Sequence, residues 1–391
     1  MHTQKKNPDF NFNTVASIIF RPGAINDLAN IVNSKKFKKI FLVTDQGLVN
    51  IGLIERVVNI FRKQGIQIGV FSKIVADPPS EIIEEASRQA IEYNSDVIIG
   101  IGGGSSLDSA KLVALLALQQ ESLEQVYGVG NIRGKRLPLI LIPTTAGTGS
   151  EATPVAIVTT GKTTKMGVVS PVILPDIAIL DPQLTLGLPA NITAATGIDA
   201  MVHAIEAYAS KSINNNPISQ NLATKALSLL GRSILTAVHS GNDLSARCDM
   251  LLGSLLAGQA FANSPVAAVH ALAYPIGGHY HVPHGLSNAL VLPHVLRFNI
   301  EKVHTPYEYI APFAFPELSK LQGQERAFAF CEALANLSKK CGLEQKLRDV
   351  NIPINSLEEL AKEAMGQNRL LVNNPRELNQ ADVLNIYNLA W

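Results

Sequence analysis

Four short β-rich runs separated by helix-periodic stretches occupy residues 38 to 180, and that alternation leaves few folds open. The runs are Lys39–Thr44, Ile66–Phe71, Asp96–Ile101 and Leu137–Ile142. Between them, Gly47–Lys63, Ser80–Tyr93 and Ser105–Leu118 carry apolar residues at helical spacing. Strands alternating with helices of this length form βαβ units, whose crossovers imply a parallel sheet covered by helices. After about residue 185 the β-branched runs fade. Ala/Leu-rich helical periodicity continues through Ala194–Ser210, Ser219–His239, Asp243–Phe261, Gln324–Cys341, Ser356–Ala364 and Ala381–Leu389. The expected architecture is an α/β domain with a parallel sheet over residues 1–187 and an all-helical domain over 188–391. The division falls where Leu186-Gly187-Leu188-Pro189-Ala190 interrupts the pattern.

Composition narrows the partners. A chain of 391 residues with 47% apolar content has ample material for two packed cores. Its formal net charge of +1, with no block of like charges, gives no electrostatic footprint for nucleic acid or an acidic membrane surface. A small molecule is the expected partner. Three scattered cysteines, Cys248, Cys331 and Cys341, suit a reducing compartment better than a disulfide framework. Met1–Phe10 lacks the apolar core of a signal peptide, and the most hydrophobic stretch, Met250–Ala262, is broken by Gly253, Ser254, Gly258 and Gln259. A cytoplasmic protein without a membrane span is expected.

Three features gather at what should be the C-terminal edge of the sheet. The run Val97–Ile101 leads into Gly102-Gly103-Gly104-Ser105-Ser106, after which Leu107-Asp108-Ser109-Ala110-Lys111 begins a helix. Glycines admit close backbone approach, and a helix N-terminus offers unpaired N–H donors to an anion, so the layout suits a phosphate. An ordinary tight turn has the same local look, since the run is neither G-x-G-x-x-G nor a P-loop. A second loop, Pro143 to Thr153, is dense in Thr and Gly and follows the run Leu139–Ile142. In open α/β sheets ligands bind at this edge. Asp45, ending Phe41–Asp45, places a carboxylate there that can accept from ribose hydroxyls and repel a 2′-phosphate, favouring NAD over NADP; an Asp at a strand end is also a common turn former.

The helical half carries a different chemistry. Asp199 and His203 are four apart in a helical pattern and so share one face. His270 lies in Val266–Ala273, and His284 in Val282-Pro283-His284-Gly285, where Pro and Gly signal a turn. Three imidazoles and one carboxylate suit a borderline divalent ion such as Fe2+ or Zn2+; a structural zinc usually draws on cysteine. Each histidine taken alone reads as readily as core or surface filler.

These stretches together resemble the iron-dependent, or group III, alcohol dehydrogenases. The likeness rests on Gly102–Lys111, the Pro143–Glu151 loop, Gly197-Ile198-Asp199-Ala200-Met201-Val202-His203-Ala204-Ile205-Glu206, and His284-Gly285-Leu286-Ser287-Asn288-Ala289-Leu290-Val291-Leu292-Pro293-His294-Val295. It implies a dehydroquinate synthase-like fold: an N-terminal dinucleotide-binding α/β domain and an all-α C-terminal metal-binding domain with a catalytic cleft between them. It implies Asp199, His203, His270 and His284 as ligands of Fe2+, with Zn2+ as the alternative. For NAD it implies Asp45, Gly102, Gly103, Gly104, Ser105, Asp108, Thr144, Thr145, Thr153 and Lys165, although Lys165 lies in a polar run that reads equally as a solvated turn. A homodimer or larger homo-oligomer is expected on the same ground.

One position departs from the family pattern. Many members carry a second histidine four residues after the one matched by His270, and here that residue is Tyr274. Tyr274 then stands with His284 as a catalytic candidate, with His279 and His281 as alternative proton carriers or plain loop residues. The expected reaction is reversible hydride transfer between a primary or secondary alcohol and NAD, giving an aldehyde or ketone. The alternative is a hydroxyacid–oxoacid transhydrogenase that recycles its NAD. Glu206, three residues after His203, is placed either to orient a ligand or to stand as a surface charge.

Overall fold

The structure is a computed structural model that describes residues 9–161 and 164–391; Met1–Pro8, on which the absence of a leader bears, and residues 162 and 163 lie outside the described residues. The chain divides at Gly187/Leu188 into two compact units. The described part of the N-terminal segment groups with the helical unit: the Asn11 N–H donates to Asn214 Oδ1 and the Asn13 N–H to Asn263 Oδ1. A boundary at 187/188 read along the sequence leaves that segment with the α/β half, because its partners are 203 and 250 residues away.

In the α/β unit the elements run β1 (Ser17–Phe20), α1 (Leu28–Ser34), β2 (Lys39–Asp45), α2 (Gln46–Asn50), α3 (Leu53–Arg62), β3 (Gln67–Ile74), α4 (Ser80–Glu92), β4 (Val97–Gly102), α5 (Gly104–Leu116), α6 (Leu123–Val126), β5 (Gly128–Val129), β6 (Leu139–Pro143), β7 (Val155–Thr160), β8 (Thr164–Val169) and β9 (Ile177–Leu180). Six strands form one parallel sheet in the order β1-β9-β6-β4-β2-β3. Strand periodicity of two sorts its residues onto opposite faces. Ile40, Leu42, Val97, Ile99, Ile101, Ile140 and Ile142 pack with Ile54, Val57 and Phe61 of α3. Phe41, Val43, Ile98, Leu139 and Leu141 pack with Ala86 and Ala90 of α4 and Leu107, Ala110 and Val113 of α5. The connection leaving β2 therefore covers one face and the connection leaving β4 the other. Between two neighbouring strands whose exits diverge in this way, a crevice opens at their C-terminal ends.

Residues 47–63, expected as one helix, form two that are separated at Gly52. Strands β1 and β9 carry no signal that the alternation of longer runs reveals, nor does the antiparallel pair β7 and β8, which makes a second small sheet with β5. β1 and β9 are only four residues long, and β7 and β8, although Val155–Val158 is apolar, follow one another with no helix between them and so fall outside the strand–helix alternation.

The helical unit comprises α7 (Ala190–Ala209), α8 (Pro217–His239), α9 (Leu244–Asn263), α10 (Ala268–Tyr280), α11 (His284–Ile300), α12 (Thr305–Ala314), α13 (Gly323–Lys340), α14 (Leu357–Ala364), α15 (Asn368–Leu371) and α16 (Gln380–Ala390). Its starts are specified locally. Asn216 caps α8 with Pro217 at the first turn, Asp243 caps α9, and Asn379 and Asp382 form a capping box on α16. Helix α7, rich in alanine and buried on nearly all sides, runs through the middle with α8, α9 and α11 packed on it. No helix among the described residues is long and apolar enough to cross a membrane.

Candidate metal centre and nucleotide-binding edge

Three helices of the helical unit each turn a pair of residues, four apart, toward a single point: Asp199 and His203 on α7, His270 and Tyr274 on α10, and His284 and Asn288 on α11. One ligand atom from each of Asp199, His203, His270 and His284 lies within 4.8 Å of the others. His203 stacks on Phe261 and on His270 at centroid separations of 4.3 and 4.7 Å, and His270 meets His284 at 5.3 Å. Asp199, His203 and His270 are buried, whereas the His284 side chain is 32% exposed, so the centre opens on the His284 side. His284 does not sit in the expected turn. It is the first residue of α11, with Pro283 at the N-cap.

Gly285 explains how α11 starts so close to α7. A Cβ at Gly285 would lie 2.3 Å from the Ala195 carbonyl oxygen and 3.3 Å from Asp199 Cβ. Only a glycine lets the two backbones meet there, and this contact sets His284 Nε2 3.6 Å from Asp199 Oδ1.

The buried groups around these four are matched to their roles as acceptors. Glu206, one turn beyond His203, accepts the Val269 N–H through Oε1 at 2.7 Å and faces His270 Nδ1 through Oε2 at 2.6 Å. That carboxylate fixes the Nδ1–H tautomer of His270 and leaves its Nε2 lone pair for a cation. Glu206 is buried and not a surface charge. Asn288 Nδ2 donates to Asp199 Oδ1 at 2.7 Å. Burial alone pushes the Asp199 carboxyl up, but His203, His284, His270 and the Asn288 amide outweigh it and hold it below the usual carboxylate range. An N3O set of converging acceptors, three of them buried, fits a borderline divalent cation.

Tyr274 lies on the same face of α10 as His270, with its ring 5.9 Å from that of His284 at a tilt of 44°. His279, nine residues after His270, points about 180° away around the helix. Its ring contacts Glu363 instead. His281 ends α10 in the left-handed conformation and is exposed. The structure thus brings Tyr274 to the four converging residues and leaves His279 and His281 away from them. Asn288 carries no motif of its own in the sequence, although its spacing of four from His284 was a usable signal.

In the α/β unit, Asp45 ends β2 and Gly102 ends its neighbour β4, on either side of the crevice between the diverging connections. Asp45 Oδ1 accepts the Leu48 N–H at 3.1 Å, and Oδ2 accepts from the Ser106 hydroxyl at 3.4 Å. Gly102 has φ +150°, and a Cβ there would collide with Ser106 at 2.6 Å. Gly103 is the N-cap of α5, and no side chain caps that helix, which leaves its first N–H groups, at Gly104 and Ser105, to meet an anion. The second loop lies alongside: the Thr144 N–H donates to the Gly102 carbonyl at 3.0 Å, and Thr145 and Thr148 pack against Gly103 and Gly104.

Besides Asp45, three more of the expected cofactor residues are engaged within the protein: Asp108, Thr153 and Lys165. Asp108 accepts from the Ser150 hydroxyl at 2.5 Å, Lys111 Nζ at 3.1 Å and the Ile157 N–H at 3.0 Å. Lys111, fully buried, also donates to Thr153 Oγ1 at 3.1 Å and the Val155 carbonyl at 2.6 Å. Its pKa is lowered by burial, against the opposing pull of Asp108 and Glu151. This network ties α5 to the 143–153 loop. Lys165 lies on β8, not in a turn, with its side chain 9% exposed and paired with Asp77 at 2.7 Å.

The comparisons with known proteins agree on one family. The model for the iron-containing alcohol dehydrogenase matches residues 16–182, and that for the Fe-containing alcohol dehydrogenase family, C-terminal, matches residues 193–391. The chain is 41% identical over 387 residues to long-chain-alcohol dehydrogenase 1 of Geobacillus thermodenitrificans (strain NG80-2), with 97% of each covered. It is similar to the crystal structure of a 1,3-propanediol oxidoreductase, with a TM-score of 0.94 and 33% identity over 98% of this chain and 100% of the other. Sulfoacetaldehyde reductase from Bifidobacterium kashiwanohense, solved in complex with NAD+, gives a TM-score of 0.88 and 27% identity over 98% of each chain. With both units matched by family models and a relative this similar over almost the full length, the chain belongs to the iron-containing alcohol dehydrogenases, enzymes that interconvert alcohols and their carbonyl products.

Proposed function

We propose that the protein is an NAD-linked, metal-dependent oxidoreductase that reversibly converts a primary or secondary alcohol to an aldehyde or ketone, with Fe2+ held by Asp199, His203, His270 and His284. The observation that carries this reading is the convergence of those four ligand atoms within 4.8 Å, with Glu206 bracing His270 from behind. When bound, the cation supplies Lewis acidity that lowers the pKa of an alcohol hydroxyl, and NAD accepts the hydride. Asp199, His203 and His270 fix the position of the cation from the buried side, so substrate enters from the open side, past His284. Tyr274, beside His284 on that side, offers a phenol to hydrogen-bond the substrate oxygen and so orient it.

The α/β unit is the proposed cofactor domain and the helical unit the proposed metal-binding and catalytic domain. In the former, Asp45 receives the ribose hydroxyls, the N–H groups at Gly103, Gly104 and Ser105 receive the pyrophosphate beside Gly102, and Thr144 and Thr145 border it. Asp108 and Thr153 support these loops through Lys111. Lys165 contributes a cation beside the small sheet. A complex with NAD+ in a protein of this fold supports the choice of cofactor. The three scattered cysteines suit a reducing, cytoplasmic setting. Strand β1 is left at the edge of the sheet, which suits assembly into a homodimer or larger homo-oligomer; light scattering after gel filtration tests that point.

The deciding experiment is a panel of alcohols, aldehydes and ketones assayed with NAD(H) on protein reconstituted separately with Fe2+ and Zn2+. Net NADH formation from an alcohol is expected. Conversion of an oxoacid only when a hydroxyacid is supplied, with no net change in nicotinamide absorbance, would replace this reading with transhydrogenation. His284→Ala is expected to lower metal content and turnover together; full metal occupancy and activity would contradict its assignment.

A further inference from the structure

Asn288 stands at the centre in a position that the four-ligand reading leaves unexplained. It is fully buried on α11, one turn after His284. Its Nδ2 lies 2.7 Å from Asp199 Oδ1 and 3.3 Å from the Nε2 atoms of both His270 and His284. Three acceptors from three helices thus share one amide nitrogen. The other end of the same amide, Oδ1, is buried without a hydrogen-bond partner. A buried unpartnered carbonyl is costly, so something else must hold the amide in place. The acceptors do so: turning the amide over would set its oxygen against a carboxylate and two imidazole lone pairs. The same acceptors repel one another when no positive centre stands among them. A donor placed between them offsets that repulsion and keeps Asp199 Oδ1 at 3.6 Å from His284 Nε2 and 4.0 Å from His270 Nε2.

We propose that Asn288 is a positioning residue for the metal ligands: its amide gathers Asp199, His270 and His284 around the point where a divalent cation binds, so that the cation meets an assembled acceptor set. The proposal rests on the metal-centre reading above. It assigns Asn288 no bond to the cation. Partners that orient ligands in this way typically affect metal affinity by about 10- to 100-fold.

The test uses the metal-free full chain as wild type, Asn288→Ala and Asn288→Leu, the last keeping the branched shape of the side chain without its donor. Zn2+ affinity is measured by competition with a chromophoric chelator, the visible d–d spectrum is recorded with Co2+, and the metal-free melting midpoint is followed by circular dichroism. The expected result is Zn2+ binding weakened by about 10- to 100-fold in both variants, with an altered Co2+ spectrum. A folded Asn288→Leu protein that binds Zn2+ as tightly as wild type overturns the proposal, even if its melting midpoint falls, because that is the behaviour of a purely structural amide. His284→Ala serves as the reference: if it too keeps wild-type Zn2+ affinity, the metal centre itself is misassigned.

Discussion

Gly285→Ala sets two opposing effects against each other at the metal centre. In a helix interior alanine is favoured over glycine by roughly 0.5–1 kcal/mol, an upper bound for Gly285 in the first turn of α11, so local propensity alone predicts a protein at least as stable. The new Cβ, however, would sit 2.3 Å from the Ala195 carbonyl oxygen and 2.7 Å from its carbon. A carbon–oxygen contact normally settles near about 3.3 Å, so α11 and α7 must part by about 1 Å. The obstacle is helix backbone and has no rotamer to change. Overpacking of this kind costs about 1–3 kcal/mol, which outweighs the gain in propensity. The functional consequence is larger than the loss of stability, because His284 adjoins the displaced residue and metal–ligand distances tolerate only about 0.2 Å. Melting of the metal-free protein is expected to fall by a few degrees, and Zn2+ affinity in chelator competition by at least tenfold. A variant that melts at or above the wild-type temperature and binds Zn2+ equally well would refute the claim that backbone contact at Gly285 places His284.

Other perturbations probe the remaining groups. Glu206→Gln should weaken metal binding by about 10- to 100-fold, since a neutral amide holds the His270 tautomer less firmly; chelator competition measures it. Asp45→Asn keeps a side chain able to cap α2 but removes the charge, and should shift the NADP-to-NAD ratio of kcat/KM toward NADP by about tenfold or more. Glu151 gives a pH signature. Burial raises its carboxyl from 4.5 to about 7, against the pull of Lys111, so the folded state prefers it protonated. Stability is then fully present below about pH 4.5 and is lost as pH rises through 7, by an amount on the order of 3 kcal/mol. Glu151→Gln should accordingly melt higher than wild type at pH 8 and alike at pH 4.5; an equal difference at both pH values would dismiss the burial argument.

Much of the architecture was legible because it rests on local pattern. Continuous apolar runs such as Val97–Ile101 are what a strand buried on both faces requires. Long Ala/Leu periodicity from Ala194 onward gave the helical half, and pairs four apart, such as Asp199 and His203, announced a shared helix face. Strands β7 and β8 escaped because an antiparallel neighbouring pair stands outside the strand–helix alternation even though Val155–Val158 is apolar, and because β8 takes its other partner, β5, from elsewhere in the chain. The engagement of Asp108 by Ser150 and the Ile157 N–H escaped for the same reason.

Residue types and their spacing by themselves determined the βαβ alternation, the glycine turn after β4 and a set of three histidines and one carboxylate suited to a divalent cation. Only the tertiary structure decided that α7, α10 and α11 deliver those four to one point, that Glu206 turns inward onto His270, that Tyr274 and not His279 faces that point, and that Asn288 lies among the four. Periodicity along a chain fixes which way a side chain leaves its own helix; which helix it then meets depends on packing between segments up to 89 residues apart, as Asp199 and Asn288 are.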